Sequence, residues 1–439
     1  MPNSLGNHAV VLGAGMAGLT SAQVLSNHFN KVTILERDVL PGEPAPRSGT
    51  PQAPHAHALL AGGMQALQSL FPDFEHDLES AGAVRTRAGR EIRQERPGFD
   101  PFPCRDLGFD TFFMSRPLLE TVTRRCVRQN PRVEILTRCR ATEIIASPDT
   151  LRVEAVRCDR EDGGPERIDA DFVVEATGRG KLTLELLDRL GLQKPEETEI
   201  GIDQAYSTIV VERPQDRGAS GVMFLPSAPT SSRGGFIFPI EKQQWMLSIG
   251  ANHGDVPPGD REGFLDFVKS FRTPTIYDAV KDARPTTDIV RFRLPASSRR
   301  HFERLESFPT GLLTMGDAVC RFNPVFGQGM SVAAREAVVL GRLLQTDVSL
   351  DRLAKEFFTA IQPIIETPWG VAQSDFVYPA TRGVRPADFG QRMQYNIALV
   401  KLAAQDAEVH KLMAEVSQLL KPSSALREPA LAARVMALA

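Results

Sequence analysis

Residues 8–38 read HAVVLGAGMAGLTSAQVLSNHFNKVTILERD, and this stretch decides the fold. A short apolar run at residues 9–12 breaks into a glycine-rich turn and continues as a helical pattern through Leu25. A second apolar run follows at residues 31–35. The order strand, tight turn, helix, strand is typical of the first unit of a doubly wound α/β domain.

The turn has the spacing G-x-G-x-x-G of a dinucleotide-binding loop. Gly13 permits the tight turn, Gly15 lets the backbone approach a pyrophosphate, and Gly18 allows close packing of helix on strand. The helix start supplies N–H groups to the phosphates. A lone motif of this kind also occurs in purely structural turns, but here the flanking elements agree with it. We therefore expect the whole loop to contact a dinucleotide: Gly13, Ala14, Gly15, Met16, Ala17 and Gly18.

Glu36 ends the second apolar run, where a strand returning beside the first delivers an acid to a ribose. An acid there suits adenosine without a 2′-phosphate, which favours FAD or NAD over NADP. The long, discontinuous remainder of the chain favours FAD. Arg37 and, in a later strand, Ala141 are assigned to the same cofactor site. Arg47, in the proline-rich loop that follows, is interpreted as a cation turned toward the phosphates or the ribityl chain.

Composition excludes several classes of protein. The 439 residues are 42% apolar and carry a formal charge of −3 without a dense basic run, which argues against a nucleic-acid partner. Five scattered cysteines suggest neither a disulfide framework nor a zinc site, and His55 with His57 lacks further metal ligands, so no metal is predicted. No apolar segment approaches the length of a spanning helix. We therefore expect a cytoplasmic protein without stable membrane insertion.

The pattern of apolar and polar residues changes twice in the middle of the chain. Residues 76–115 are predicted to be irregular, whereas residues 171–176 form an apolar strand that ends in a glycine turn. Residues 200–292 alternate like strands of an antiparallel sheet, with Glu241-Lys242-Gln243 as a hairpin turn. Four phenylalanines are assigned to an apolar substrate pocket: Phe224, Phe236, Phe238 and Phe326. The same residues can also be ordinary core.

A second motif, GLLTMGDAVCRFNPVFGQGMSVAAREAVVL, occupies residues 311–340. Asp317 follows a short strand, where its carboxylate suits the hydroxyls of a ribityl chain. The glycine turn beyond it opens a helix whose N-terminus stabilises negative charge near a reduced flavin. The residues assigned to the cofactor from this motif are Gly316, Asp317, Pro324, Gly327, Gln328, Gly329 and Met330. The remainder, residues 346–439, is predicted to be helical, with one long pattern over 391–420.

Together these motifs resemble the flavoprotein monooxygenases with the para-hydroxybenzoate hydroxylase-like fold. The resemblance is greatest to the flavin-dependent epoxidases of polyether antibiotic pathways. It rests on the two glycine motifs and on short stretches that include Pro51 to His57, Ser115-Arg116-Pro117, Ala176-Thr177-Gly178 and Asn323-Pro324. By this comparison Arg116 is a cofactor contact. The chain departs from the aromatic hydroxylases at Glu175 and Cys320, and it lacks the Trp-x-Trp-x-Ile-Pro motif of flavin halogenases.

The resemblance implies an α/β fold with a discontinuous, Rossmann-like FAD-binding domain at residues 1–75, 116–190 and 290–345. It implies an inserted antiparallel β-sheet substrate domain at 76–115 and 191–289, followed by a C-terminal helical region. Residues 346–439 are interpreted as a pocket cap or ordinary packing rather than as a membrane contact.

The implied activity is insertion of one oxygen atom from O2 into an apolar alkene or aromatic substrate through a flavin C4a-hydroperoxide. The product is an epoxide or a hydroxylated compound, and the substrate is a polyketide, prenylated or aromatic molecule of secondary metabolism. NADPH or NADH supplies electrons, directly or through a flavin reductase. No catalytic side chain is identified. A flavin-dependent carbon–carbon double-bond reductase and a non-catalytic FAD-binding protein are the alternatives.

Overall fold

A computed structural model describes residues 5–217 and 220–438. The strands are β1 (Gly6–Leu12), β2 (Phe29–Leu35), β3 (Ala58–Leu59), β4 (Val84–Arg87), β5 (Ile92–Glu95), β6 (Asp110–Phe113), β7 (Val133–Leu136), β8 (Cys139–Ala146), β9 (Val153–Arg160), β10 (Gly164–Asp169), β11 (Phe172–Glu175), β12 (Glu197–Glu212), β13 (Gly221–Phe224), β14 (Gly234–Ile240), β15 (Gln244–Ala251), β16 (Val290–Arg300), β17 (Leu312–Thr314) and β18 (Cys320–Arg321). The helices are α1 (Met16–Leu25), α2 (Ala61–Leu70), α3 (Phe74–Ser80), α4 (Arg116–Arg128), α5 (Lys181–Arg189), α6 (Arg261–Lys269), α7 (Thr275–Val280), α8 (Gly329–Leu344), α9 (Leu350–Ala360), α10 (Gln362–Ala372), α11 (Phe389–Gln405), α12 (Ala407–Ser417) and α13 (Pro429–Met436).

A five-stranded parallel sheet carries the dinucleotide motif. Its order is β17-β11-β1-β2-β7, with Val11 paired to Val174 on one side and to Ile34 on the other. Alternate residues of β1 serve two cores: Val11 packs with α1 and α8, whereas Val10 and Leu12 pack with the β8–β10 sheet and α5. Burial on both faces explains why the strands read as continuous apolar runs. The predicted Rossmann-like architecture is confirmed.

The inserted sheet has seven strands in the order β18-β16-β12-β15-β14-β13-β5. Its pairs are antiparallel except β13 with β5. The predicted hairpin between β14 and β15 is confirmed, with Lys242 and Gln243 at positive φ. One face packs on α6 and α7 through a core that includes Leu247. The opposite face, called the inner face below, turns toward the three-stranded sheet β3-β6-β4, where Phe113 of β6 stacks on Phe238.

The prediction that residues 76–115 are irregular was wrong. They contain part of α3 and the strands β4, β5 and β6, and β5 forms the edge of the seven-stranded sheet. Each of these strands has only four residues. Such short strands carry little periodicity, and β5 is held by a partner far along the chain, with Arg93 opposite Val222. Their order comes from pairing that local sequence does not reveal.

The long helix predicted over residues 391–420 is two helices, α11 and α12. The break falls at Asp406, which has extended backbone geometry and whose carboxylate accepts the N–H groups of Glu408 (2.8 Å) and Val409 (3.1 Å). An aspartate at such an N-cap ends one helix and starts the next, because it satisfies donors that the new helix leaves free.

The C-terminal helices are clamped to both parts of the fold. Arg105 donates to the carbonyls of Ala403 (2.7 Å) and Ala404 (2.6 Å) at the end of α11. At the other end of α12, Gln418 accepts the N–H groups of Ala61 and Gly62 at the start of α2. Helix α12 therefore spans from the loop after β5 to the parallel-sheet domain. Within the described ranges, no helix is long and apolar enough to cross a membrane.

A buried carboxyl group fixes the turn after β17. Glu336 of α8 is fully buried, and its Oε2 accepts the N–H of Gly316 at 2.8 Å. Its Oε1 has no hydrogen-bond partner among the described residues. Burial, with the nearby charge of Asp317, raises the pKa of Glu336 to about 8. The group therefore holds its proton at neutral pH in the folded protein.

This carboxyl should make stability fall as pH rises. The unfolded group ionises near pH 4.5 and the folded group near 8, so its stabilising contribution is complete below about 4.5 and is lost toward 8. We expect Glu336→Gln, which keeps the acceptor without the charge, to gain on the order of 4 kcal/mol over wild type between pH 5 and pH 9. Urea unfolding at both pH values measures this, with the exposed Glu185→Gln as control; parallel pH curves for wild type and Glu336→Gln would contradict it.

Candidate functional site

The glycine turn has the geometry of a nucleotide cradle. Gly13 has a φ of 98° and donates its N–H to the carbonyl of Leu35 at 2.8 Å. A methyl group on Gly18 would lie 1.9 Å from the carbonyl oxygen of Gly13, so the helix approaches the turn as only glycine allows. A methyl group on Gly15 would meet no atom within 4 Å. The turn is therefore tight on both sides and open at Gly15.

Glu36 and Arg47 both reach this turn. Glu36 is buried and accepts the N–H of Ala14 at 2.8 Å, and Arg47 Nη1 lies 3.2 Å from its Oε2. Arg47 also pairs with Asp38 (2.9 Å) and Glu120 (2.6 Å). Burial lowers the pKa of Arg47, but these carboxylates outweigh it and raise the pKa above its ordinary value. One buried guanidinium therefore binds three carboxylates beside the loop.

The sequence did not identify Asp38 and Glu120 as parts of the site. Glu120 lies on α4, and its burial is the signal that would have required a partner. Arg37, assigned to the cofactor, has a side chain that is 54% exposed, 3.9 Å from Asp38. Ala141 lies on β8, half-buried against the core around Leu12. The structure thus brings neither Arg37 nor Ala141 to the glycine turn.

The second motif meets the first. β17 lies beside β11, and Met315 donates its N–H to the carbonyl of Glu175 at 3.1 Å. At Gly316, where φ is 67°, an added methyl group would lie 2.9 Å from the side chain of Ala17 on α1. The Asp317 side chain lies between two glycines, Gly178 and Gly329. Two motifs 300 residues apart in the sequence therefore form one cleft.

Residues at which this chain departs from aromatic hydroxylases have structural roles. The carboxylate of Glu175 accepts the N–H groups of Thr183 (2.7 Å) and Leu182 (3.3 Å) and thus caps the start of α5. Cys320 is buried between β16 and α8, and burial raises the pKa of its thiol well above the ordinary value. Neither side chain is placed to react as an anion.

Two unpaired polar atoms mark the cleft as a binding site. Ser115 caps α4, and Arg116 follows at its first turn. The Nε of Arg116 has no hydrogen-bond partner among the described residues, although Asp317 and Glu120 interact with it electrostatically. Gln328 is also buried, and its Oε1 likewise has no hydrogen-bond partner among the described residues. Buried polar atoms normally have partners, so these two fit a polar ligand.

The loop from Asn323 to Gly327 faces the inner face of the large sheet. The buried side-chain amide of Asn323 accepts from the hydroxyl of Tyr206 at 2.8 Å and donates to Asp375 at 3.3 Å. Pro324 and Phe326, both half-buried, form a 3₁₀ turn that ends at Gly327. A methyl group on Gly327 would lie 2.9 Å from Ala58, and Gly329 and Met330 start α8.

The two histidines connect the loop before α2 to this region. His55 Nδ1 lies 2.7 Å from the hydroxyl of Thr208 on the inner face, and His57 Nδ1 bonds the carbonyl of His55. Burial lowers the pKa of His55 to about 4 and that of His57 to about 3. Both rings are therefore neutral at physiological pH. Among the described residues, no group of three or more His, Cys, Asp or Glu side chains could hold a metal ion.

The four phenylalanines assigned to a pocket do not share one wall. Phe236 and Phe238 lie on the inner face and stack on each other with ring centroids 5.6 Å apart. Phe224 lies opposite Gly235 in the register, so it points to the other face, where it stacks on Phe271. Phe326 belongs to the loop beyond Asn323. The inner face thus keeps Phe236 and Phe238 and places Phe224 in the core beneath α6.

The cleft fits FAD better than a smaller nucleotide. The open turn at Gly15 and the N-terminus of α1 can hold a diphosphate, and Glu36 lies beside them for an adenosine ribose. Arg116, Asp317 and Gln328 offer a donor and acceptors farther along the cleft. The second glycine turn and the N-terminus of α8 end it at the inner face.

Comparisons with known proteins agree with this geometry. The family model described as FAD binding domain matches residues 7–349. Protein Rv3254 of Mycobacterium tuberculosis is 33% identical over 369 residues, which cover 79% of this chain and 75% of that protein.

Solved structures with the same architecture include the flavin-dependent brominase Bmp2, with a TM-score of 0.66, 15% identity and 98% of each chain covered. They also include the p-nitrophenol 4-monooxygenase PnpA of Pseudomonas putida DLL-E4, with a TM-score of 0.64, 16% identity and coverage of 95% of this chain and 99% of that one. At such identities the matches establish the fold. The chain therefore belongs to the FAD binding domain family and shares the para-hydroxybenzoate hydroxylase-like fold of the flavin-dependent monooxygenases.

Proposed function

We propose that the protein is an FAD-dependent monooxygenase that inserts one oxygen atom from O2 into an apolar alkene or aromatic substrate of secondary metabolism. The reaction is an epoxidation or a hydroxylation, as the resemblance to polyether epoxidases suggests. One observation supports this most directly. Met223 and Phe236, on the inner face of β13 and β14 near the β5 edge, remain only half-buried although they are large and apolar.

These side chains form a wall beside the cofactor cleft. Met223 lies opposite Phe236, and Phe236 lies opposite Ser248, so the three share the inner face. Phe238 stacks between Phe236 and Phe113, which makes the wall rigid. Apolar walls with few polar groups are typical of sites for apolar ligands. The wall can orient such a substrate and keep water away from it.

The chain itself would hold the cofactor through the cleft described above. Gly15 and the start of α1 would hold the diphosphate, Glu36 the adenosine ribose, and Asp317 the ribityl chain. The N-terminus of α8 would stabilise negative charge on the reduced ring. When bound and reduced by NADPH or NADH, directly or through a flavin reductase, FAD supplies the activation of O2. One oxygen atom then enters the substrate and the other leaves as water.

This chemistry does not need a general acid paired with a general base. His55 and His57 are both neutral, so neither ring brings a charge to the site. We assign no catalytic side chain. A carbon–carbon double-bond reductase would use the same apolar wall, so product analysis must distinguish the two activities. A protein that only holds FAD would give neither product.

Alanine substitutions at Gly15 and Gly18 of the first motif should have different effects. Gly15→Ala places a methyl group in the open cradle, so we expect a normally folded protein that loses its yellow, noncovalently bound FAD. Gly18→Ala places a methyl group 1.9 Å from the carbonyl oxygen of Gly13, so we expect a lower melting temperature even without FAD. Thermal melts and FAD titration measure these effects, and the exposed Gly42→Ala is the control. Full flavin affinity in Gly15→Ala would contradict the assignment.

Asp317 should contribute to flavin affinity. Asp317→Ala removes an acceptor for the ribityl hydroxyls, and we expect FAD binding to weaken by on the order of 1–3 kcal/mol. Equilibrium dialysis with FAD gives the affinity, and Asp347→Ala, at an exposed aspartate, controls for the loss of one charge. Equal affinities in the two variants would remove Asp317 from the site.

Isotope labelling separates an oxygenase from a reductase. We expect a prenylated or polyene substrate, incubated with enzyme, NADPH and labelled O2, to gain one labelled oxygen atom by mass spectrometry. Labelled water should leave no label, and no product should form without O2. A product that gains two hydrogens equally well under anaerobic conditions would establish the reductase instead.

A further inference from the structure

We propose that the apolar wall continues into a second subsite, which binds the anionic end of an elongated apolar substrate. The subsite is a cavity of about 230 Å³ between β5, the loop that follows it, and α12. Its lining includes Arg90, Ile92, Arg93, Gln94, Phe102 and His410. The inference rests on the proposed function for its link to the flavin, but the cavity can be tested by binding alone.

The register of the large sheet links this cavity to the wall. Gln94 on β5 lies opposite Met223, and Met223 lies opposite Phe236. Phe236 in turn lies opposite Ser248, which lies opposite Thr208 on β12. Opposite residues point to one face, so these five side chains form a single row. Four interstrand spacings separate its ends by roughly 19 Å. The row thus runs from the cavity to the hydroxyl that bonds His55.

Exposure along the row shows which end is open. Gln94, Met223 and Phe236 are only half-buried, whereas Ser248 is 3% and Thr208 is 1% exposed. Ala56 and His55 cover the inner end through hydrogen bonds to Ser248 and Thr208. A ligand can therefore enter at the β5 edge and extend inward as far as Phe236, but the covered Ser248 on β15 stops it there. The cavity is the outer end of this path.

The charge in the cavity is positive. Arg93 is paired with Glu95 at 2.7 Å, but Arg90 is exposed and no carboxylate among the described residues lies within ion-pair distance of it. The nearby Asp106 is already bound by Arg87 at 2.7 Å. Burial, together with Arg105 and Arg96, lowers the pKa of His410 to about 4, so the imidazole is neutral. Of the two arginines that line the cavity, Arg90 is thus the one that has no carboxylate partner among the described residues and can bind an anionic group.

Apolar groups and the C-terminal helices complete the enclosure. Phe102 is buried and packs edge-on against His410 with ring centroids 4.9 Å apart. The two hydrogen bonds from Arg105 to the end of α11 hold the loop against these helices. An alkyl chain fits the apolar side of the cavity while its terminal carboxylate reaches Arg90. This arrangement selects an amphipathic molecule over a compact neutral ring.

Calorimetric titration of the oxidised, FAD-loaded protein tests the charge. Dodecanoate and 1-dodecanol serve as probes with the same chain and different ends. We expect Arg90→Gln to weaken dodecanoate binding about tenfold, the size of one charge-assisted hydrogen bond, and to leave 1-dodecanol unchanged. Arg352→Gln, at an exposed arginine on α9, is the control. Unchanged dodecanoate binding in Arg90→Gln would overturn the proposed head-group site.

Cys104 provides a test of the location. It lines the cavity and is exposed, whereas Cys126, Cys139, Cys158 and Cys320 are buried. We expect a bulky methanethiosulfonate on Cys104 to abolish binding of both probes and a methyl group to have little effect. Cys104→Ser treated with the same reagent should bind normally. Unchanged binding of both probes after complete bulky labelling would place their site elsewhere.

The two proposals can fail separately. Probe binding that depends on Arg90 and Cys104, without oxygen transfer to any substrate, would support the cavity and refute the proposed function. Labelled oxygen in the product of a protein blocked at Cys104, at an undiminished rate, would support the monooxygenase and refute the entry path.

Discussion

The side-chain amide of Asn323 is the point on which the rest of the site depends. It accepts hydrogen bonds from Tyr206 and Val325 and donates to Gln204 and Asp375. These partners come from the large sheet, the loop itself and the segment after α10. A buried amide that loses a partner costs about 1–3 kcal/mol, so all three regions must dock together. The loop before α8 therefore has one position relative to the inner face, and with it the apolar wall has one distance from the cofactor cleft.

Contiguous motifs could be predicted from the sequence, whereas contacts between distant segments could not. The turn around Gly13 and the helix start at Gly329 follow from local rules of backbone conformation and spacing. The ion cluster around Arg47 does not, because Glu120 lies 73 residues away and joins it only through folding. The position of Phe224 was missed for a related reason. The alternation of side chains shows which residues of one strand share a face. Only the pairing of Phe224 with Gly235 shows on which face of the sheet Phe224 lies.

The fold shows the same division. Buried strands such as β1 and the four-residue β11 can be predicted from the sequence, because burial on both faces requires continuous apolar residues. The strands β4, β5 and β6 cannot, since hydrogen bonds to their partner strands compensate for their weak intrinsic preference. At Asp406 the helical spacing of the residues continues, but the backbone helix ends and a new one starts. The Asp406 side chain replaces the helical hydrogen bonds that are lost at this break. Periodicity alone does not show such a break.

The order of strands in the parallel sheet has a consequence for biosynthesis. β1 is the third strand of the sheet, and its neighbour β11 pairs in turn with β17, which ends at Thr314. The nascent chain therefore displays its nucleotide loop long before Asp317 and α8 can close the cleft. Contacts between such distant segments slow folding, because loop closure must precede their stabilisation. Tight capture of flavin is thus a late event, after synthesis has passed residue 344, and until then the apolar strands must be shielded from other chains.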